Sequence, residues 1–357
     1  MKEKTVTTTT GNIFIFHAFD VGEDINLENV KEKQLLLRRP LLLSKYFKNY
    51  HIPLAVELPH PHSSSRCISS KLHNFGTISL AYKIPFTESL EALRMHINTI
   101  EDEYREKSVI DAGSIFKHIK SEIKQPKFFH LAKSYVVIQV DPEANIDITR
   151  LKEESGSAIA SILRFETESL SEYQRNEILE SAVGYYRGDL IIIDTEAAFI
   201  YDDEYQDLLD LFEFANMQHL ELQYFDRLLD QQLNVVYERE IRRLPLRSYL
   251  PFIGAVKNDP IDDLGKLRVD ISVITERLEN SIKLVGEAYY SELYSLLVAK
   301  LDINNWRESI NRKLDIITDV RTVYENKVNI VREDLLSVLI IVLIFIELVV
   351  GILHYFK

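Results

Sequence analysis

The spacing of apolar positions changes character twice along this chain. Up to about residue 201 the apolar runs are short and bounded by turn residues; from Asp202 they recur every three or four positions; from Leu335 nearly every position is apolar. The first regime predicts strands mixed with helices. Ile13 to Phe19, between Gly11 and Asp20-Val21-Gly22, is a strand. Leu35 to Tyr50, rich in Leu and Lys, is expected to be a helix interrupted at Pro40, and the Ser-, His- and Pro-rich stretch 57–74 an exposed loop. Phe75 to Ile84 is a second strand ending at Pro85. Thr87 then caps a helix from Glu88 to about Lys107, with Leu90, Leu93, Ile97 and Ile100 on one face. Tyr135 to Val140 is a third strand, and residues 156–181 read as helical. Between Val183 and Tyr201 the runs VGYY, LIIID and AFIY are separated by Arg187-Gly188-Asp189 and Thr195-Glu196, the pattern of a meander with tight turns.

The second regime is helical. Asp202 and Asp203 are N-cap residues for a helix running to about Arg243, with a stripe of Leu208, Leu211, Ala215, Leu222, Phe225, Leu229, Leu233 and Val236. Pro245 and Pro251 end it. A second stripe runs from Leu264 through Leu267, Ile271, Ile274, Leu278, Ile282, Val285, Tyr289 and Leu293 to Leu296. Asp302 to Asn305 is a polar turn, and a third stripe follows from Trp306 through Ile310, Leu314, Ile317 and Val320 to Val331. Helices joined by a short turn are expected to pack as an antiparallel, coiled-coil-like hairpin.

Leu335 to Phe356 reads LLSVLIIVLIFIELVVGILHYF, with Glu347 as its one formal charge. As a helix it reaches roughly 33 Å, enough for a hydrocarbon core of about 30 Å. The expected fold class is thus an α+β N-terminal domain with a small antiparallel or mixed sheet, then long helices forming an antiparallel hairpin, then a C-terminal transmembrane helix. The boundaries are 1–201 for the α+β domain, 202–263 for the long helix and its Pro-containing linker, 264–334 for the hairpin and 335–356 for the anchor. A carboxyl group in the bilayer is costly unless neutral or partnered, so Glu347 is a candidate contact between anchors.

Charge narrows the partners. The chain carries a formal net charge of −13, and residues 151–250 hold 9 Lys+Arg against 21 Asp+Glu. That balance excludes a general nucleic-acid surface, which needs clustered positive charge. The single cysteine, Cys67, fits a reducing compartment. The N-terminal MKEKTVTTTTGNIFIF has neither an apolar signal core nor transit-peptide character, so the N-terminal domain is expected in the cytoplasm. The five basic residues between Arg312 and Asp334, against Lys357 alone beyond the span, give the same orientation by the positive-inside rule. The expected location is a single-pass protein of a bacterial inner membrane.

Candidate chemistry is sparse. His60, His62, Cys67 and His73 carry zinc-type donors, but their spacing H-x-H-x4-C-x5-H matches no zinc pattern, so no metal or cofactor is assigned. A nucleophilic pair of Cys67 with a nearby His lacks an orienting third group. Gly184-x-x-x-Gly188 lies in a hairpin and not before a helix, which removes a phosphate loop. In RRLPLRSYLPF, Arg242, Arg243 and Arg247 flank aromatic residues; they are candidate contacts to anionic headgroups or an acidic partner, or a basic helix end followed by a linker.

Tyr289, Leu293-Tyr294, Trp306, Lys313-Leu314, Tyr324, Arg332 and above all IIVLIFIELV, Ile340 to Val349, resemble the C-terminal part of the "required for meiotic nuclear division" family. That family's tail carries a similar Ile/Leu-rich anchor with one Glu, matched here by Glu347; a further acid at the start of its anchor corresponds here to Ser337. The resemblance covers roughly the C-terminal half and implies a membrane-tethered, non-enzymatic role of bacterial type, in which mitochondrial members support translation by holding ribosomes at the inner membrane. The expected function is therefore a membrane scaffold or tether that binds a protein partner or a ribosome, with the hairpin and anchor able to form homo-oligomers. The alternatives are a membrane-attached hydrolase or metal-dependent enzyme using the His60–His73 loop, and an accessory subunit of a membrane complex.

Overall fold

A computed structural model describes residues 8–41, 47–48, 52–59, 66–142, 148–184, 188–240, 268–269, 271–272, 283–284 and 288–355. The N-terminal part is an α/β domain on one mixed sheet; long helices follow, and the last ends in an apolar stretch. The chain forms two compact units, Met1–Tyr224 with Ile274–Trp306, and Phe225–Val273 with Arg307–Lys357.

In the first unit, the strands β1 (Thr9–Asp20) and β6 (Thr77–Glu88) pair antiparallel over their whole length. β5 (Cys67–His73) lies against β6 on its other side, followed by the short β4 (Leu54–Ala55). β8 (Lys133–Val140) pairs antiparallel with β1, and β11 (Ala197–Tyr201) pairs parallel with β8. β10 (Leu190–Ile193) and β9 (Ala182–Val183) complete the sheet, in the order β4-β5-β6-β1-β8-β11-β10-β9. Of the three apolar runs read as a meander, LIIID and AFIY are β10 and β11, while of VGYY only Val183 lies in a described strand, β9; the pairs β9–β10 and β10–β11 are antiparallel as expected. Residues 185–187 lie outside the described residues.

Both faces of the sheet are covered. On one, Ile13, Ile15 and Phe19 of β1 share a core with Leu93 and Ile97 of α2 (Leu90–Ile119) and Ile159 of α3 (Ile148–Leu163). On the other lies α5 (Gln206–Glu240), whose Phe212 stacks on Tyr135 at 5.6 Å and whose Phe214 and Met217 pack with Ala18. Burial on both sides is why β1 reads as a nearly continuous apolar run.

Several local expectations are revised. The expected helix over Leu35–Tyr50 is not found among its described residues, 35–41 and 47–48, none of which is helical. The helix there is α1 (Leu27–Glu32), and Gln34 then takes a left-handed φ of 50°. Arg38 bridges Val56, β3 (Phe47–Lys48) pairs with β12 (Lys283–Leu284), and β2 (Asp24–Ile25) pairs with β7 (Ile123–Lys124). Pro40 disfavours the helical region for Arg39. The expected loop 57–74 contains β5, whose polar residues are buried against α5 and so imitate a loop in the sequence. β6 continues past Pro85 because beyond Tyr82 it has a paired strand on one side only, where proline is tolerated. α2 is capped by Ser89, not Thr87, through Ala92 N at 3.2 Å. The helical stretch 156–181 is two helices, α3 and α4 (Glu172–Glu180), parted where Phe165 takes φ 54°.

In the helical part, the α5 stripe from Leu208 to Leu233 is buried as read. Within 264–300, Lys283–Leu284 are extended and α6 spans Ala288–Lys300, so the second stripe is not one continuous helix. Regular 3–4 spacing does not report a break, and Gly286 favours one by about 1 kcal/mol relative to alanine. The turn at Asp302, φ 57°, leads into α7 (Ile303–Tyr355). In the second unit, Lys313 Nζ lies 2.7 Å from both Asp226 and Asp230, and Ser309 donates to Asp226, so α7 is tied to α5.

Candidate functional site

The apolar stretch of α7 is the first candidate. Glu333–His354 has a mean hydropathy of 3.1 and is long and apolar enough to cross a membrane, and none of it is buried. In the preceding part of the same helix, Ile310, Leu314 and Ile317 are buried. The difference is one of neighbours, since both stretches are helical. Glu347 is exposed on the apolar stretch. Arg242, Arg243 and Arg247, and His60 and His62, lie outside the described residues.

Cys67 and His73 do not form a site together. They stand at the two ends of β5, six residues of extended chain or about 20 Å apart, too far to share an ion. The Cys67 thiol donates to Ser69 O at 3.3 Å and is pushed up to about 12 by burial and by Asp111, which keeps it protonated and unreactive. His73 is fully buried and packs on Phe75.

The structure instead brings together polar residues that the pattern did not single out. Two polar rows cross the sheet beneath α5. In one, Lys71 of β5 pairs in register with Ser79 of β6; Glu213 of α5 accepts from Lys71 Nζ at 2.7 Å and from Ser79 Oγ at 2.5 Å, and Asp210 lies 3.1 Å from Lys71. Burial opposes the ammonium, but the two carboxylates outweigh it and hold Lys71 above its ordinary pKa. In the other row, Thr77 stands between His73 and Asp20, and donates to Glu221 of α5. Burial, reinforced by Asp20, pushes the Glu221 carboxyl well above its ordinary value. All residues of α5 from 211 to 222 are buried, with Glu213, Asn216, Gln218, His219 and Glu221 among them. Tyr294 of α6 donates to Gln218 at 2.6 Å from the far side. A stripe-based reading treats such polar positions as solvent-facing, so these rows were missed; a helix interleaving Leu and Phe with Glu, Asn, Gln and His was the available signal.

A third cluster lies on the opposite face, beneath α2. His17 of β1 stands directly across from Ser134 of β8. His17 is fully buried, its ring 6.0 Å from Tyr82, whose hydroxyl donates to Asp111 of α2 at 2.7 Å. Burial first, then the Arg105 guanidinium, lowers His17 to about 3, so it is neutral. Neither ring nitrogen of His17, nor the Ser134 hydroxyl, has a hydrogen-bond partner. Beside them a cavity of about 170 Å³ is lined by Glu101, Ala132, Lys133, Ser134, Phe165 and Glu196. Arg105 grips both oxygens of Glu101, at 2.6 and 3.2 Å.

Residues 10–207 match the family described as the N-terminal domain of the uncharacterized protein MJ0711, more than half of the chain. The chain belongs to this family. Uncharacterized protein MJ0711 of Methanocaldococcus jannaschii is 26% identical over 200 residues, covering 56% of this chain and 60% of that protein. The chain thus spans about three fifths of the length of that curated relative. No solved structure matches. The family region holds the sheet, α2 and the His17–Ser134 cluster, and ends at the start of α5. The residues that resemble the meiotic nuclear division family lie beyond it.

Proposed function

We propose that this protein is a single-pass membrane scaffold or tether, without enzymatic activity. The family domain stands in the cytoplasm and binds a protein partner, or a ribosome if the role implied by the C-terminal resemblance holds. The observation that carries this reading is the apolar stretch Glu333–His354, none of it buried, which continues a helix that earlier buries Ile310, Leu314 and Ile317 on one face. In water such a surface is an aggregation hazard, whereas in a bilayer it is solvated. The basic residues on its N-terminal side favour the cytoplasmic orientation. Glu347 is a candidate contact between anchors of a homo-oligomer.

The test is affinity purification of full-length protein, cross-linked in its native cells and extracted in mild detergent, with a chain ending at residue 334 as the parallel sample. Ribosomal proteins or a defined soluble partner recovered with both chains support the tether. A membrane protein lost with the anchor turns the reading toward an accessory subunit. Recovery of the bait alone counts against a scaffold.

A further inference from the structure

Residues 112–140 run against the charge of the chain. They hold five lysines and one acid, Glu122, in a protein of formal net charge −13. Glu122 is buried and already partnered: Lys33 lies 2.5 Å from one oxygen and Asn29 donates to the other. Lys117, Lys120, Lys124 and Lys127 are exposed. Lys124 pairs with Glu23 at 2.7 Å, whereas Lys117, Lys120 and Lys127 have no ion pair among the described residues.

The fold gathers these lysines at one end of the sheet. Phe116, in the last turn of α2, stacks on Phe128 at 5.4 Å and so holds the end of that helix beside the loop 125–132. Lys127 N and Phe129 N donate to Val21 O and Asp20 O, which pins the loop where β1 finishes. Between helix and loop, the short 3-10 turn Lys120–Glu122 and β7 carry Lys120 and Lys124. The dipole of α2 accounts for a cation at Lys117, but it falls off within one turn and does not account for Lys124 or Lys127. Leu131, 75% exposed, stands near the end of the same loop.

The chemistry of this ridge selects its partner. Its cations are all lysines, point charges without the fork by which arginine grips a single phosphate. The neighbouring aromatic rings are already taken. Phe128 stacks on both Phe19 and Phe116, and Phe129 meets Tyr224 edge-on while the Lys127 ammonium lies 4.6 Å from its ring centre. Single-stranded nucleic acid needs open rings on which bases stack, and these are not open. Spread positive charge beside an exposed aliphatic side chain suits a membrane interface instead, with phosphates for the ammonium groups and the acyl boundary for Leu131.

We infer that this lysine ridge, with Leu131 beside it, docks the family domain on anionic phospholipid headgroups. The inference rests on the membrane reading above, which keeps a lipid surface within reach of the domain. Each lysine brought within about 10 Å of an anionic leaflet strengthens the contact roughly fivefold. Contacts that weak suffice when the anchor already supplies a high effective concentration.

The test uses full-length protein reconstituted into vesicles of phosphatidylcholine, alone or mixed equally with phosphatidylglycerol, and washed with carbonate. A membrane-impermeant acetylating reagent is added, and mass spectrometry follows each lysine. The expected result is that phosphatidylglycerol slows acetylation of Lys117, Lys120 and Lys127 by about fivefold or more, that high salt removes the effect, and that Lys152 of α3 is unaffected. Lys120→Glu is expected to restore the rates at Lys117 and Lys127 with an unchanged thermal melt. Protein washed from both kinds of vesicle overturns the anchor, and this docking with it. Inserted protein whose ridge reacts equally in both overturns the docking alone. So does slowing that Lys152 shares, slowing that survives Lys120→Glu, or protection given by added polyuridylate and not by phosphatidylglycerol.

Discussion

The ammonium of Lys71 lies 2.7 Å from the carboxylate of Glu213, with their side chains only 10% and 5% exposed. This ion pair joins a strand near the sheet's edge to the helix that leads out of the family domain. Two desolvated charges gain little over an apolar pair, yet either one left alone is costly. The contact therefore specifies the seating of α5 more than it adds stability.

That asymmetry is measurable. Lys71→Met is expected to destabilise the fold by about 3–5 kcal/mol, because it strands a buried carboxylate. Adding Glu213→Leu should recover most of the loss. Urea denaturation of the single and double variants checks this, and a double variant no more stable than Lys71→Met removes the argument.

Gly76 turns the chain between β5 and β6 with φ +93°, and a Cβ there would stand 1.8 Å from the Gly22 carbonyl oxygen. Gly76→Ala has to distort both backbones. A loss above about 2 kcal/mol is expected, seen as a lowered thermal midpoint. An unchanged midpoint would show that the turn can relax.

Acid should destabilise the domain through its buried histidines. His17 protonates near 6.5 when unfolded and near 3 when folded, so the unfolded chain binds more protons between those values. The stability that His17 contributes is present above pH 6.5 and is lost as pH falls toward 3, by up to about 1.4 kcal/mol per pH unit. His73 and His219 are lowered in the same way, chiefly by burial. The raised Glu221 carboxyl acts in the opposite sense, gaining stability as pH falls, but three histidines outweigh one carboxyl below pH 6.5. Urea midpoints should therefore fall between pH 6 and 4, and His17→Leu should flatten the trend. Parallel curves for the two proteins would refute it.

Removing residues 335–357 should shift the protein from a carbonate-washed membrane pellet to the soluble fraction. Persistence in the pellet would place membrane attachment elsewhere in the chain. Replacing Glu347 by Leu should keep the protein in the pellet but reduce its oligomer size in detergent; an unchanged size means Glu347 makes no contact between anchors.

Where burial follows one simple period, the fold was legible in the residues. β1, the β9–β11 meander, the stripe of α5 and the apolar end of α7 all announce themselves, because each buries or exposes a regular set of apolar side chains. β5 was hidden because Lys71 and His73, polar residues that mark loops elsewhere, are buried there. The cluster of His17 and Ser134 was hidden for another reason. Its members lie 117 positions apart and meet only through strand register.

By itself, then, the sequence determined the apolar strands β1, β6, β8, β10 and β11, the helices α2 and α5, the acidic balance and an apolar stretch long enough to cross a bilayer. Those depend on local periodicity and composition, which neighbouring residues carry. Only the tertiary structure decided which polar side chains are removed from water, that β11 lies parallel to β8, and that Lys71 meets Glu213. Such contacts join residues far apart in the chain, and their energies arise from desolvation and pairing that exist once the sheet and α5 have closed on each other.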